Sequence, residues 1–169
     1  MAYLEKIEAL NNYKEEGKIP FLVDNIRYGQ IKQEYLDLCK ESVFNYSNGS
    51  LVFKDKYKDF NSRSLALEEF AIYLEKENII NIRGEKYGLV TKFGDKPKAL
   101  YDRALSTFLG TLSFGQHLNG VIKKDNELFM WIGVRAKDKG YSGGMLDSFS
   151  GWWIAFWYKI RREFSKRVL

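Results

Sequence analysis

Cysteine and histidine are nearly absent from this chain, and so is any long apolar run. A single cysteine, Cys39, among 169 residues excludes an internal disulfide and a thiolate metal cluster. It sits in the helical-looking Q-E-Y-L-D-L-C-K, where it reads as a core thiol rather than a reactive one. The expected compartment is a reducing cytoplasm. A single histidine, His117, has no Cys or His neighbour in the sequence and reads as structural rather than as a ligand. No apolar run reaches the length of a membrane span. The start does not read as a signal peptide, because Glu5, Lys6 and Glu8 fall within the first nine residues.

What is present is material for a globular core. Hydrophobic residues make up 45% and aromatics 16%, which argues against disorder. The length suits one domain, or one with a small companion. The net charge of +5 hints at nucleic acid until it is located. Residues 158–169 hold five basic side chains against Glu163, leaving 22 basic and 21 acidic groups for the rest. The basicity belongs to a tail, and no nucleic-acid partner is expected.

Along the chain, Leu4, Ile7 and Leu10 give Tyr3 to Asn12 helical spacing. F-L-V-D and I-R-Y-G-Q-I read as two short strands around an Asp24-Asn25 turn. Gln33 to Lys40 reads as a helix burying Tyr35, Leu36 and Cys39. F-N-Y-S-N-G-S-L-V-F-K is a hairpin, with Asn48-Gly49 supplying its positive-φ turn. Ser62 is the expected cap of a helix from Arg63 to about Asn78, with Leu65, Leu67, Phe70, Ile72 and Leu74 on its apolar side. I-I-N-I-R and Y-G-L-V-T-K-F read as strands parted by Gly84. Up to about residue 105 no cluster of acids, histidine or glycine suggests catalysis. This part reads as a small α+β scaffold or recognition unit.

Beyond Ala104 the texture changes. T-L-S-F-G-Q-H-L-N-G-V-I-K and E-L-F-M-W-I-G-V-R-A read as strands joined by a turn at Lys124-Asp125-Asn126. Trp131 alternates with Phe129 and Gly133 and is expected in the core. A-K-D-K-G-Y-S-G-G-M-L-D follows as a polar, glycine-rich loop. Its backbone can approach a phosphate closely, with Arg135, Lys137 and Lys139 supplying charge. A solvated strand end is the alternative for Arg135 and Lys137. Asp147 beside the loop is expected to fix it by hydrogen bonds rather than to act as a base.

The order F-G-Q-H-L-N-G, then L-F-M-W-I-G-V-R-A-K-D-K, then G-G-M-L-D resembles the strand pair and loop leading into the box of Nudix hydrolases. The likeness is to the thiamin pyrophosphokinase-related subfamily, which carries an extra N-terminal domain. Y-L-E-K-I-E-A-L-N-N-Y, I-P-F-L-V-D-N-I-R-Y-G-Q-I and N-S-R-S-L-A-L-E-E-F are similar to that domain in order and spacing. The resemblance implies an α+β chain in which residues 1–105 form the N-terminal domain. Residues 106–169 would begin a Nudix-type α/β/α sandwich, truncated inside the box. It further implies hydrolysis of a diphosphate-linked compound, thiamin-diphosphate-like or nucleoside-diphosphate-linked. Mg²⁺ would be held by box glutamates, and Arg135, Lys137, Lys139 and Asp147 would contact the substrate.

In register from Asp147, however, the box glycines fall on Trp152, Trp153 and Trp157, the first glutamate on Tyr158, and the Arg-Glu pair on Lys166-Arg167. The Glu pair would lie past Leu169. With no box glutamate and no catalytic or metal-binding residue of its own, the chain is expected not to bind Mg²⁺ and to be inactive. Trp153, Trp157, Ile160, Phe164 and Val168 also share one face of a possible basic helix. That face either packs on the body or, as the alternative, lies at a membrane surface. An incomplete sheet implies self-association or a complementing chain.

Overall fold

The computed structural model describes residues 14–137, 143–148 and 150–153, together with residues 4, 5, 7 and 8, which are helical. The rest of the expected N-terminal helix and residues 154–169 of the expected C-terminal one lie outside the described residues. The fold is α+β.

Its first layer is a four-stranded sheet. β1 (Lys18–Val23) and β2 (Ile26–Lys32) pair antiparallel across Asp24 and Asn25. Those residues have φ of 52° and 63°, the left-handed pair that a two-residue hairpin turn requires. β3 (Phe44–Ser47) and β4 (Ser50–Phe53) form the expected hairpin over Asn48-Gly49. β4 also pairs parallel with β1, giving the order β2-β1-β4-β3. Between the hairpins, a 3-10 turn at Gln33–Tyr35 leads into α1 (Leu36–Lys40). Cys39 is fully buried there, and burial pushes its thiol up to about 12.

α2 (Phe60–Lys76) covers the sheet. Its cap is Asp59, not Ser62: the Asp59 carboxylate accepts from the Asn61 and Ser62 amides at 2.8 and 3.0 Å. Ser62 instead completes the box, its hydroxyl accepting from the Asp59 amide. The buried face is Arg63, Ala66, Leu67, Phe70, Ala71 and Leu74. Leu65 and Ile72, expected inside, point outward at 61% and 45% exposure. Ala66 and Ala71 take inner positions among these larger side chains. Phe70 meets Phe44 edge-to-face at 5.2 Å, and Phe44 meets Phe21 at 5.4 Å. Arg63 is held by Asp24 at 2.7 Å, and Lys98 reaches the same carboxylate at 2.9 Å. The Arg63 bond, followed by Lys98, keeps the Asp24 carboxyl below its ordinary value.

The expected strand I-I-N-I-R is not one. The Arg83, Gly84 and Ala104 amides all donate to the buried carboxylate of Asp102, and the Ile82 amide donates to Glu75. Two carboxylates take the place of a ladder, while Ile79, Ile80 and Ile82 still pack on the core. Y-G-L-V-T-K-F contributes only to β5 (Lys86–Gly88), which pairs with β6 (Leu100–Asp102). α3 (Ala104–Phe108) follows. The Gln30 amide then donates to the Leu109 carbonyl at 2.8 Å. At this seam a Cβ on Gly29 would strike Leu109 O, and one on Gly110 would lie 2.6 Å from Gln30 O.

The core cluster runs from Ile19 to Leu109 among the described residues. Beyond it come β7 (Gly115–Leu118), β8 (Val121–Lys124), β9 (Glu127–Met130), β10 (Ile132–Val134), β11 (Leu146–Ser148) and β12 (Ser150–Trp153). Each expected long strand is thus split in two, at Asn119-Gly120 and at Trp131. β8 pairs with β9 over Asp125 and Asn126, both at positive φ. Trp131 is not core but 57% exposed, and Val121, Ile122, Leu128, Phe129 and Met130 are also exposed. Trp153 is not helical: Trp152 and Trp153 pair in register with Gln116 and Gly115 of β7. Among the described residues no helix is long and apolar enough to cross a membrane.

The burial pattern sets a stability test. Phe70→Ala should lower the unfolding free energy by about 3–5 kcal/mol, whereas Leu65→Ala should change it by less than about 1 kcal/mol. Urea denaturation followed by circular dichroism measures both, and equal losses would contradict this inner face.

Candidate functional site

The glycine-rich loop closes because its two ends are strands. β10 and β11 pair antiparallel, with Gly133 opposite Asp147 and Val134 opposite Leu146. Two further backbone bonds extend the pairing, from the Arg135 amide to Met145 O at 2.9 Å and from the Gly144 amide to Arg135 O at 3.0 Å. Glycine is needed at two points in the return. A Cβ on Gly143 would lie 2.5 Å from Lys137 O, and Gly144 has φ of 77°.

This closure brings Arg135 and Asp147 together, with Arg135 Nη1 2.7 Å from Asp147 Oδ2. The other carboxylate oxygen accepts from the Ser148 amide at 2.8 Å. Because β12 pairs with β7, with Gly151 opposite His117, the histidine arrives beside β11. His117 Nδ1 is 2.8 Å from Ser148 Oγ and 3.8 Å from Asp147 Oδ1. The Ser148 amide, then Arg135, hold the Asp147 carboxyl below its ordinary value of 3.8. Arg135 Nε is buried without a hydrogen-bond partner.

Of the four residues expected to contact substrate, Arg135 and Asp147 are therefore joined as an ion pair, with Asp147 fixing the loop end. Lys137 lies in the turn just beyond Arg135. Lys139 lies outside the described residues. His117 and Ser148 complete the polar cluster and were not among the expected contacts. The signal for His117 was its being the only imidazole, on the strand entering this segment; nothing in the local pattern marks Ser148.

The cluster does not fit a divalent cation. Its one carboxylate already accepts from Arg135 and the Ser148 amide. Among the described residues no group of three or more His, Cys, Asp or Glu side chains is placed to hold a metal ion. What the cluster offers is a guanidinium, a hydroxyl and an imidazole on a closed glycine loop, which is chemistry for binding an oxyanion.

Residues 2–113 match the family described as a domain of unknown function (DUF4743), and the chain belongs to that family. It is 30% identical over 159 residues to Nudix hydrolase 20, chloroplastic, of Arabidopsis thaliana, covering 86% of this chain and 42% of that protein. It is 26% identical over 152 residues to Nudix hydrolase 24, chloroplastic, of the same plant, with the same coverage of each. An uncharacterized protein of Saccharomyces cerevisiae is 29% identical over 127 residues, or 71% of this chain and 36% of that protein. The chain is thus Nudix-related over most of its length and spans less than half of these relatives.

The ion pair has a pH signature. Asp147 is lowered in the folded state, so its contribution to stability is present above the ordinary carboxylate value and lost as pH falls through the lowered one. Carbon-detected titration should place its midpoint below 3.8. Arg135→Gln should raise that midpoint only in part, because the Ser148 amide still donates. A wild-type midpoint at or above the ordinary value would refute the arrangement.

Proposed function

We propose that this chain carries the recognition part and the opening strands of a Nudix-type diphosphate hydrolase. Residues 1–105 are then its N-terminal domain and residues 106–169 the start of its Nudix domain. Arg135, Lys137 and Lys139 hold the diphosphate of a thiamin-diphosphate-like or nucleoside-diphosphate-linked compound, with Asp147 orienting Arg135. The observation that carries this reading is the Arg135–Asp147 pair on a closed glycine loop, immediately before the position of the box. An unsatisfied Arg135 Nε supports it, since a buried orphan donor costs about 1–3 kcal/mol and a small turn of the side chain onto a phosphate oxygen would recover it. The end of the core cluster at Leu109 and of the family match at residue 113 support the division.

Hydrolysis in this family is expected to need Mg²⁺, which would polarise the diphosphate and activate water. Among the described residues none is grouped for that role, and in this reading the chain binds the ligand without turning it over. The exposed apolar side chains of β8 and β9 support packing against further polypeptide, either another copy or a complementing chain.

Titration calorimetry with thiamin diphosphate tests the binding. Arg135→Ala should weaken it about 10–100-fold, the worth of a charge-assisted bond. Unchanged affinity would sink the site assignment. Phosphate release assayed with Mg²⁺ should stay at background, and robust turnover by the purified chain would overturn the inactive reading.

A further inference from the structure

A second concave feature lies wholly within residues 2–113 and away from the Arg135 cluster. It is an open groove of about 500 Å³ between β2, residues 90–91 and the strip 110–113, a volume in the range of small-molecule sites. The glycine seam makes its floor, since Gly29 and Gly110 meet backbone to backbone with no side chain between them. Val90 and Leu112 give it apolar lining, Thr91 and Ser113 give hydroxyls, and Arg27 gives a guanidinium. Beside Thr91 and Ser113, Phe93 and Phe114 pair edge-to-face at 5.2 Å.

Arg27 is bonded to Glu15 at 2.5 Å and also to Gln30, but the Arg27 and Glu15 side chains are 45% and 66% exposed. An exposed pair of this kind is weak, and the guanidinium stands at the groove as a charged donor. The strip also leads straight into β7. His117 is four positions after Ser113, so their Cα atoms lie at most about 14 Å apart. The groove and the oxyanion cluster are therefore within reach of one extended molecule.

We propose that this groove holds the organic half of the ligand: a planar heterocycle with hydrogen-bond acceptors, lying on Val90 and Leu112 with its acceptors toward Arg27 and Ser113. The inference rests on the diphosphate reading, in which the phosphates go to Arg135. The DUF4743 domain thereby supplies recognition of the group to which the diphosphate is attached.

Amide NMR of the ¹⁵N-labelled full chain separates the two halves, with thiamin, adenosine and inorganic diphosphate as probes. At least one heterocycle should shift amides of residues 27–30, 90–91 and 110–113. Ser113→Trp, which fills the groove from the strip, should weaken that binding at least about 10-fold. Thr91→Trp, filling it from the opposite wall, should do the same and serves if the first variant fails to fold. Inorganic diphosphate should shift residues 133–135 and 146–148 in wild type and variant alike. Heterocycle shifts elsewhere, no heterocycle binding, or unchanged affinity in a folded groove variant each overturn the groove. Loss of the diphosphate shifts alone would instead sink the phosphate reading and leave the groove standing.

Discussion

At Gly29 and Gly110 two stretches of backbone meet with no room for a side chain on either. The Gln30 amide reaches the Leu109 carbonyl across that contact, so the outer edge of β2 is covered at that point. Because Gly110 has a φ of 56°, the chain turns there as only glycine does without strain. Its direction out of the core is thereby fixed. Every later element, from β7 to β12, starts from a strip of chain tied to the first hairpin.

Signals with a local cause were legible in the sequence. Asn48-Gly49 and the Asp-Asn turns at 24–25 and 125–126 all take the positive φ their residue types permit. The alternation of Ile19, Phe21 and Val23 faces the core as a strand pattern should. What escaped was set at a distance. I-I-N-I-R has strand composition, yet its Ile82 amide goes to the earlier Glu75 and its Arg83 amide to Asp102, some twenty residues later. Leu65 and Ile72 are apolar by type, but the helix is turned so that Ala66 and Ala71 face inward in their place. Ser62 was a plausible cap, and Asp59, three residues earlier, outcompetes it because both carboxylate oxygens take part.

The site shows the same division. Glycine content announced the loop, and Gly143 and Gly144 are needed where Lys137 and Arg135 come close. The Arg135–Asp147 pair was not readable, because strand pairing across the loop decides which charges meet. The backbone of Trp152 and Trp153 continues as a strand against β7. A strand at this point carries the chain alongside His117 and so helps to build the polar cluster.

The burial of Cys39 has a practical consequence. With its thiol raised to about 12 and no exposed surface, the one native sulfhydryl is nearly unreactive toward alkylating probes at neutral pH. A cysteine introduced at any exposed position would be the only one to take a fluorophore or spin label. The chain is therefore suited to single-site labelling without first removing its own cysteine, and distances between its two halves become accessible in solution.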